Sequence, residues 1–456
     1  MISGIRQRAL TVALTLGLAP SALAQVPQVS QAQISPQAQT AFAAITAHPM
    51  VKKALAILEA DDANTLNDQK TMTVIPAPPF KEQKRAEYYR ARLQELGLQE
   101  VRVDAEGNAV GVRRGSGKGP KLVVSAHLDT VFPEGTDVSI KEKDGRFYAP
   151  GIADDTRGLA EVLSIIRAFN ATGIKTVGDI WFVGTVGEEE LGDLRGVKAL
   201  FREHKDIDGF ITVESPGAGV NTIGRVMVGS RRYRVTYKGL GGHSFGAFGL
   251  PSAIHALGRA VAKISDVQTP KSPKTTFTVG TIGGGVSTNS IAGEAVMQID
   301  MRSSDMGALT KLEAEIMAHI KQAAADENAR WNATSITVDI KLVGDRPAGL
   351  VPLDSPAIQA AALGIQSVGL RNISYTEGSN DANIAVSLGI PAVRLASGGR
   401  SGGTHSFNEW YQPQLAYLGP QASLLTILGL VGVEGVSAPL LPKRSDRKST
   451  RLNSSH

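Results

Sequence analysis

The segment LVVSAHLD at residues 122–129 decides the fold: an uncharged apolar run is followed at once by a histidine and a carboxylate. A short run without polar alternation is typical of a strand buried on both faces of a parallel sheet. The pattern recurs in DIWFVGTV at 179–186, which precedes three glutamates, and in GFITV at 209–213, which precedes Glu214. Because ligands bind at the carboxyl ends of such strands, we expect these polar side chains to gather at one edge.

Helical periodicity separates these runs, and the alternation predicts an α/β fold with an open mixed sheet flanked by helices. The predicted helices span residues 41–59, 81–96, 160–170, 196–203 and 355–368. A later strand is predicted at residues 392–395. Near Met227 the rhythm changes to alternating strands such as RYRVTY at 232–237, and the order becomes β-α-β-β-α-β. That order is the split-βαβ pattern of a ferredoxin-like α+β domain. The sequence therefore predicts a first domain at 41–226 and 346–438, interrupted by an inserted domain at 227–345.

The two ends do not resemble the body of the chain. Residues 1–24 combine early arginines, an apolar run and a small-residue cleavage pattern, which predicts a secretory signal peptide and an exported, periplasmic or secreted protein. Residues 25–40 read as a linker. Residues 439–456 read as a disordered tail, and SDRKSTRLNSSH at 445–456 resembles translated adaptor read-through rather than a native ending.

The formal net charge of +5 comes from those ends. Arg6 and Arg8 contribute +2 and the tail contributes +4, so the body carries about −1. We therefore expect no nucleic-acid partner, and no membrane partner once the signal is removed. The chain has no cysteine, which excludes disulfides and thiolate zinc sites.

Five side chains near predicted strand ends and in following loops form a candidate metal site. Each has a bland alternative, because a histidine can be an ordinary surface residue, paired aspartates can cap a helix, and a glutamate run can be a solvated turn. As a set they supply the nitrogen and oxygen ligands that suit two divalent cations, with zinc favoured and cobalt or manganese as alternatives. The candidate ligands are His127, Asp154, Glu189, Glu214 and His405.

Motifs along nearly the whole chain, from about residue 52 to 433, resemble the co-catalytic zinc metallopeptidases that include carboxypeptidase G, peptidase T, aminoacylase and succinyl-diaminopimelate desuccinylase. The resemblance rests on SAHLDTV (125–131), YAPGIADDTRG (148–158), GTVGEEELGDLRG (184–196), TVES (212–215), GGHSFGAFG (241–249), GGGVSTNSIAG (283–293), DMRS (300–303), GSNDAN (378–383) and GTHSF (403–407). It implies a zinc-exopeptidase-like catalytic domain with an inserted lid and dimerisation domain.

The resemblance also implies roles for single residues. His127 and Glu214 would bind one metal and Glu189 and His405 the other, with Asp154 bridging them before a cis peptide to Asp155. Asp129 would orient His127, and Glu188 would be the general base. His243, often acting across a dimer interface, would contact the scissile carbonyl, while Asn289 and Arg302 would hold the substrate.

Two points stay open at this stage. The family usually has Asp-Glu-Glu where this chain has Gly187 and three glutamates, so the base and ligand are Glu188 and Glu189 or, in the other register, Glu189 and Glu190. The expected activity is hydrolysis of small peptides by an exported homodimeric exopeptidase. The alternatives are deacylation of N-acyl amino acids and, from another class, a non-catalytic exported binding protein.

Overall fold

The computed structural model describes residues 31–217 and 219–444. The predicted signal peptide and the tail beyond Arg444 lie outside these residues. The described helices are α1 (Pro36–Ala47), α2 (Pro49–Ala60), α3 (Asp62–Thr73), α4 (Gln83–Glu95), α5 (Thr156–Thr172), α6 (Arg195–Glu203), α7 (Ala253–Ser265), α8 (Met306–Arg330), α9 (Pro356–Ser367), α10 (Ala382–Ser387) and α11 (Leu418–Val431).

The described strands are β1 (Gln99–Val103), β2 (Ala109–Arg113), β3 (Lys121–His127), β4 (Lys141–Lys143), β5 (Arg146–Tyr148), β6 (Asp179–Thr185), β7 (Gly209–Glu214), β8 (Thr222–Met227), β9 (Gly229–Lys238), β10 (Gly242–His243), β11 (Thr275–Gly284), β12 (Ser290–Ile291), β13 (Glu294–Ser303), β14 (Thr337–Arg346), β15 (Gly349–Leu350), β16 (Ser374–Gly378), β17 (Ala392–Ala396), β18 (Arg400–Gly402) and β19 (Trp410–Gln412).

A nine-stranded mixed sheet forms the larger body, in the order β1-β2-β6-β3-β7-β17-β8-β15, with β16 paired to β8. Its central strands β6, β3, β7 and β17 run parallel, so their carboxyl ends meet at one edge. Helix α5 packs on β3 and β7, and α9 and α11 pack on each other. The predicted open mixed α/β sheet is confirmed.

The inserted segment forms a separate four-stranded antiparallel sheet in the order β11-β13-β9-β14. Helices α7 and α8 pack on one face around a second hydrophobic core that includes Val235, Tyr237 and Ile316. The chain order β9-α7-β11-β13-α8-β14 is the predicted split-βαβ pattern. We call the other face of this sheet the open face. Arg232 and Arg302 lie on the open face and line the cavity at the carboxyl edge of the larger sheet.

The first helices differ from the sequence prediction. Helix α1 begins at Pro36, inside the predicted linker, and the helix predicted over 41–59 is broken in two at His48. Pro49 explains the break, because a proline disfavours helical backbone at the preceding residue and His48 is extended there, at φ −66° and ψ 128°. Helix α3 was not predicted, since its buried face includes Thr65, Gln69 and Thr73 rather than apolar residues alone.

In the described part of the chain, no single helix is long and apolar enough to cross a membrane. The bent pair α1 and α2, which meet at 70°, satisfies the length and composition criterion jointly. Both helices contribute Phe42, Ile45, Val51 and Leu58 to the main hydrophobic core.

The predicted disorder of residues 439–456 is wrong for its first six residues. The amide of Leu441 donates to the carbonyl of Leu430, and the Leu441 side chain is buried beside Gly209. The Arg444 amide donates to Asp208 Oδ1 at 2.6 Å. Two apolar residues and these backbone hydrogen bonds order a segment whose composition suggested a tail.

Candidate metal centre

The predicted ligands meet at the carboxyl edge of the main sheet. His127 is the last residue of β3 and Glu214 the last of β7, while Glu189 follows β6 by four residues. Asp154 precedes α5, and His405 lies in the loop between β18 and β19. A cavity of about 470 Å³ opens here, lined among others by Asp154, Glu188, Glu189, Glu214 and His405, with His127 buried behind Asp154.

Asp154 stands between the two histidines. Its Oδ1 lies 3.1 Å from Nε2 of His127, and its Oδ2 lies 3.3 Å from Nε2 of His405. His405 Nε2 is also 2.9 Å from Oε1 of Glu189. Each oxygen of one carboxylate therefore faces a different imidazole, which is the arrangement expected of a carboxylate shared by two cations. The Asp154–Asp155 peptide is cis, as the resemblance implies.

These spacings fit metal ligands. Tetrahedral zinc with ligand bonds of about 2.1 Å separates its ligand atoms by about 3.4 Å. One ligand atom each from His127, Asp154 and Glu189 lie within 4.8 Å of one another. The full donor set of two imidazoles and three carboxylates contains hard and borderline ligands, as zinc, cobalt and manganese prefer. Burial raises the pKa of Glu214 to about 7, with repulsion from Asp154 adding to it, so cations would stabilise its charged form.

Asp129 differs in detail from its predicted role. Its backbone carbonyl, not its carboxylate, is nearest to His127 Nδ1, at 3.0 Å against 3.7 Å. Since a carbonyl only accepts, Nδ1 must donate, which leaves the Nε2 lone pair for a metal. The Asp129 carboxylate instead accepts from the amides of Glu188 and Glu189 at 3.1 and 2.8 Å. Burial opposes its charge, but the nearby His127 imidazole and the hydrogen bonds from these two amides leave the Asp129 pKa lowered.

Glu188 is buried beside Arg346. Arg346 Nη1 lies 3.3 Å from Glu188 Oε1, and Arg346 Nη2 donates to the Glu188 backbone oxygen. Burial raises the Glu188 pKa well above its usual value, Arg346 opposes the rise, and the charge of Glu189 adds to it. Arg346 had no sequence signal beyond its place at the end of an alternating strand.

The glutamate run resolves into different environments. Glu189 contacts His405, whereas Glu190 is exposed and begins a single 3₁₀ turn, Glu190–Gly192. All three glutamates line the cavity, but Glu189 is the one that pairs with His405, and Glu190 makes no hydrogen bond or ion pair with that histidine.

Two further acids stabilise the backbone around the candidate ligands, and the sequence analysis did not predict this role for them. Glu409 accepts from the amides of Gly151, Ala153 and Asp154 at 3.2, 2.8 and 3.0 Å. Burial raises its pKa to about 7, and the negative charge of Asp154 adds to the rise. Asp155 Oδ2 accepts from the His127 amide at 3.0 Å. Both act on backbone amides of distant segments, which no spacing in the sequence reveals.

The predicted substrate residues separate into two places. Arg302 lines the cavity together with Arg232 and Arg346. His243 and Asn289 do not line it, and instead lie beside each other where β10 pairs with β12, the Ser244 amide donating to the Asn289 carbonyl. Within one chain, the structure therefore brings Arg302 to the candidate ligands but neither His243 nor Asn289.

Comparison with known proteins identifies the family of this chain. The profile of peptidase family M20/M25/M40 matches residues 123–428. Succinyl-diaminopimelate desuccinylase of Nitrosospira multiformis is 25% identical over 340 residues, which cover 70% of this chain and 86% of the relative.

Solved structures show the same architecture. A tripeptidase of Staphylococcus aureus superposes with a TM-score of 0.65 at 25% identity, covering 81% of this chain and 98% of that one. The YXEP protein of Bacillus subtilis, described as a dinuclear metal-binding peptidase, gives a TM-score of 0.59 at 16% identity over 81% and 99% of the two chains. At that identity the second likeness supports the fold alone.

Proposed function

The chain belongs to peptidase family M20/M25/M40, and from that premise we propose an exported exopeptidase that hydrolyses an amide bond in small peptides bearing a free carboxylate. Family membership makes it a metal-dependent peptidase or amidohydrolase; the substrate, the general base and export are the proposal. The observation that carries it is the pair of Asp154 oxygens facing His127 and His405, with Glu188 lining the same cavity.

The five candidate ligands would hold two divalent cations, whose chemistry would be to lower the pKa of a water and to polarise the amide carbonyl. Glu188 then accepts the water proton and delivers it to the departing amine. Arg346 holds Glu188 through its side chain and backbone oxygen, so it is a positioning residue. Asp129 accepts hydrogen bonds from the backbone amides of Glu188 and Glu189, and Glu409 accepts one from the amide of Asp154. These two acids therefore fix the backbone of the three cavity residues.

The cavity has two chemically different sides, which supports a substrate orientation. Val131, Phe132 and Phe407 provide apolar surface, with the two phenyl rings 5.6 Å apart. Arg232 and Arg302 provide positive charge from the inserted sheet. A substrate with an apolar residue on the acyl side and a carboxylate on the amine side matches both, because an arginine fork binds carboxylates in a bidentate way.

The remote position of His243 and Asn289 supports action as a homodimer, in which a second copy supplies these groups to the cavity. Leu240, Phe245 and Phe248 nearby are strongly exposed, as a surface for a partner copy would be. Light scattering tests this step. A fully active monomer would remove the partner role of His243.

Deacylation of N-acyl amino acids is the second candidate. It is favoured by the similarity to a desuccinylase, and the same arginines suit the carboxylate of an N-acyl amino acid. Both reactions break an amide with the same groups, so fold alone does not choose. A non-catalytic binding protein is disfavoured, since Glu188 and the complete ligand set are retained.

One experiment tests the activity. The chain lacking residues 1–24 is purified, loaded with zinc, cobalt or manganese, and assayed against di- and tripeptides and N-acyl amino acids with product identification. We expect release of the residue that bears the free carboxylate. Metal-loaded protein that cleaves no member of the panel would refute the proposal, and export is checked separately by the N-terminus of the secreted protein.

A further inference from the structure

Arg232, Asp300 and Arg302 form a cluster on the open face of the inserted sheet. Asp300 lies directly opposite Arg232 in the pairing of β13 with β9, and Arg302 is two residues further along β13. Because side chains alternate along a strand, all three project from the same face. Arg232 Nε lies 2.9 Å from Asp300 Oδ1, and Arg302 Nε lies 2.7 Å from Asp300 Oδ2.

In this arrangement each guanidinium group is bound to Asp300 through its Nε atom. Each arginine uses Nε on Asp300, and Arg232 also donates from Nη1 to the backbone oxygen of Glu190. No side-chain hydrogen bond from Arg232 Nη2, or from either Nη of Arg302, is formed within residues 31–217 and 219–444. Both Nη groups of Arg302 and the Nη2 group of Arg232 therefore remain available to donate hydrogen bonds to carboxylates.

The cluster carries an excess of positive charge. Asp300 offsets one of its two arginines, and the third arginine of the cavity, Arg346, is already paired with Glu188. Burial lowers the pKa of Arg232, and repulsion from Arg346 adds to that effect, with Asp300 opposing it. Anionic groups entering the cavity would relieve this repulsion as well as form hydrogen bonds.

We propose that Arg232 is a specificity-determining residue that binds a second carboxylate, so that the preferred substrate releases an acidic amino acid, glutamate or aspartate. Arg302 takes the α-carboxylate and Arg232 takes the side-chain carboxylate of the same residue. This inference rests on the proposed function, because it assumes that the amine half of the substrate points toward the inserted sheet.

The geometry favours one doubly charged residue over two separate anions. Arg232 Nε and Arg302 Nε each bind one oxygen of the Asp300 carboxylate. The distance between these two Nε atoms is therefore at most the width of one carboxylate plus the lengths of two hydrogen bonds. The α- and side-chain carboxylates of one acidic residue span such a distance. Asp300 thus sets the spacing of the two guanidinium groups and orients both of them.

The test compares substrates that differ only in charge. The metal-loaded enzyme is assayed with Leu-Glu against Leu-Gln and with N-acetyl-Glu against N-acetyl-Gln. We expect kcat/KM to favour the acidic member by roughly 10- to 100-fold, as for loss of a charge-assisted hydrogen bond. Arg232→Met should bring that ratio close to one.

Arg234→Met is the matched control. Arg234 lies two residues along β9 on the same face and is exposed, so its loss should leave the ratio unchanged. Metal content and thermal unfolding show whether each variant folds. If Arg232→Met does not fold, Arg232→Lys, which keeps the charge but not the fork, should lower the ratio several-fold.

Three outcomes would overturn the inference: a wild-type ratio near one, a ratio that survives Arg232→Met, or a preference for N-succinyl-Ala over N-butyryl-Ala that depends on Arg232. The last would put the second carboxylate on the acyl half. If no substrate is cleaved, the proposed function fails. Calorimetry of glutamate against glutamine binding then decides the inference alone, since it requires tighter, Arg232-dependent binding of glutamate.

Discussion

The cavity has two walls, and they are built in opposite ways. The acidic wall stands on the main sheet, where Asp154, Glu188 and Glu189 are buried and backbone amides are held by Asp129 and Glu409. The basic wall belongs to the inserted sheet, where the Arg302 side chain is 40% exposed and its one side-chain hydrogen bond to residues 31–217 and 219–444 goes to Asp300. The three acids that must keep a fixed geometry are buried, whereas Arg302, the proposed carboxylate-binding residue, stays accessible.

The contrast has an electrostatic cause. Several carboxylates confined at one sheet edge repel each other, so their charged forms need nearby cations. We therefore expect the acidic wall to depend on bound metal and the basic wall to depend on an anionic substrate. Changes to the first should remove metal or chemistry, while changes to the second should weaken binding.

The largest effect is expected from Asp154→Asn. Removing the charge that faces both His127 and His405 should reduce the bound metal and bring turnover below detection. Atomic absorption and a peptide assay measure both quantities. Asp144→Asn, in an exposed turn, is the control and should change neither. Full metal content in Asp154→Asn would show that this residue does not bridge the site.

Glu188→Gln should separate chemistry from metal binding within the acidic wall. We expect a roughly 10²- to 10⁴-fold fall in kcat with metal content unchanged, as for loss of a general base. Glu190→Gln is the matched neighbour and should keep wild-type activity, because Glu190 is exposed. Near-normal turnover in Glu188→Gln together with loss in Glu190→Gln would favour the other register.

Arg302→Met tests the basic wall. Its fork is expected to bind the substrate carboxylate equally in ground and transition states, so KM should rise about 10- to 100-fold while kcat changes little. The matched substrates are a dipeptide and its C-terminal amide. A variant that still discriminates between them would show that Arg302 does not bind this carboxylate.

The same division explains what the sequence could predict. Polar residues that follow apolar strands predicted His127, Glu189 and Glu214, because strand ends in a parallel sheet share an edge. Arg346 and Glu409 were missed, since they act on backbone groups of segments far away in the chain. Distance in sequence hides such contacts.

The missed secondary structure has a related cause. Helix α3 buries polar side chains, and its Gln69 donates to the Ile152 carbonyl at 2.6 Å while Thr73 lies 3.0 Å from Thr156. Hydrophobic periodicity cannot detect a helix whose buried face is satisfied by hydrogen bonds. The ordered residues 439–444 were missed for the opposite reason, since the buried Leu441 and the partly buried Leu440 outweigh a polar composition.

Glu161 in α5 is a buried acid behind the acidic wall. Of the changes considered, its substitution is expected to have the smallest effect on activity. Its carboxylate accepts from the Gly398 amide at 3.0 Å, in the segment leading to His405, and from the Ser423 hydroxyl at 2.7 Å, in α11. Burial raises its pKa from 4.5 to about 7, with Arg157 opposing. Because the folded state holds this proton more tightly, its contribution to stability is complete below pH 4.5 and is lost as pH rises through 7.

Glu161→Gln should therefore remove that pH dependence. Relative to the variant, the wild type should lose up to about 3 kcal/mol of unfolding free energy between pH about 4.5 and 8, because one pKa unit corresponds to about 1.4 kcal/mol. Urea unfolding of both proteins at several pH values measures the difference, in which contributions from the metal ligands cancel. Glu59→Gln on the exposed face of α2 should show no such trend. A difference that stays constant with pH would mean that Glu161 is charged throughout, and that the buried acids are stabilised by their hydrogen bonds alone rather than by protonation.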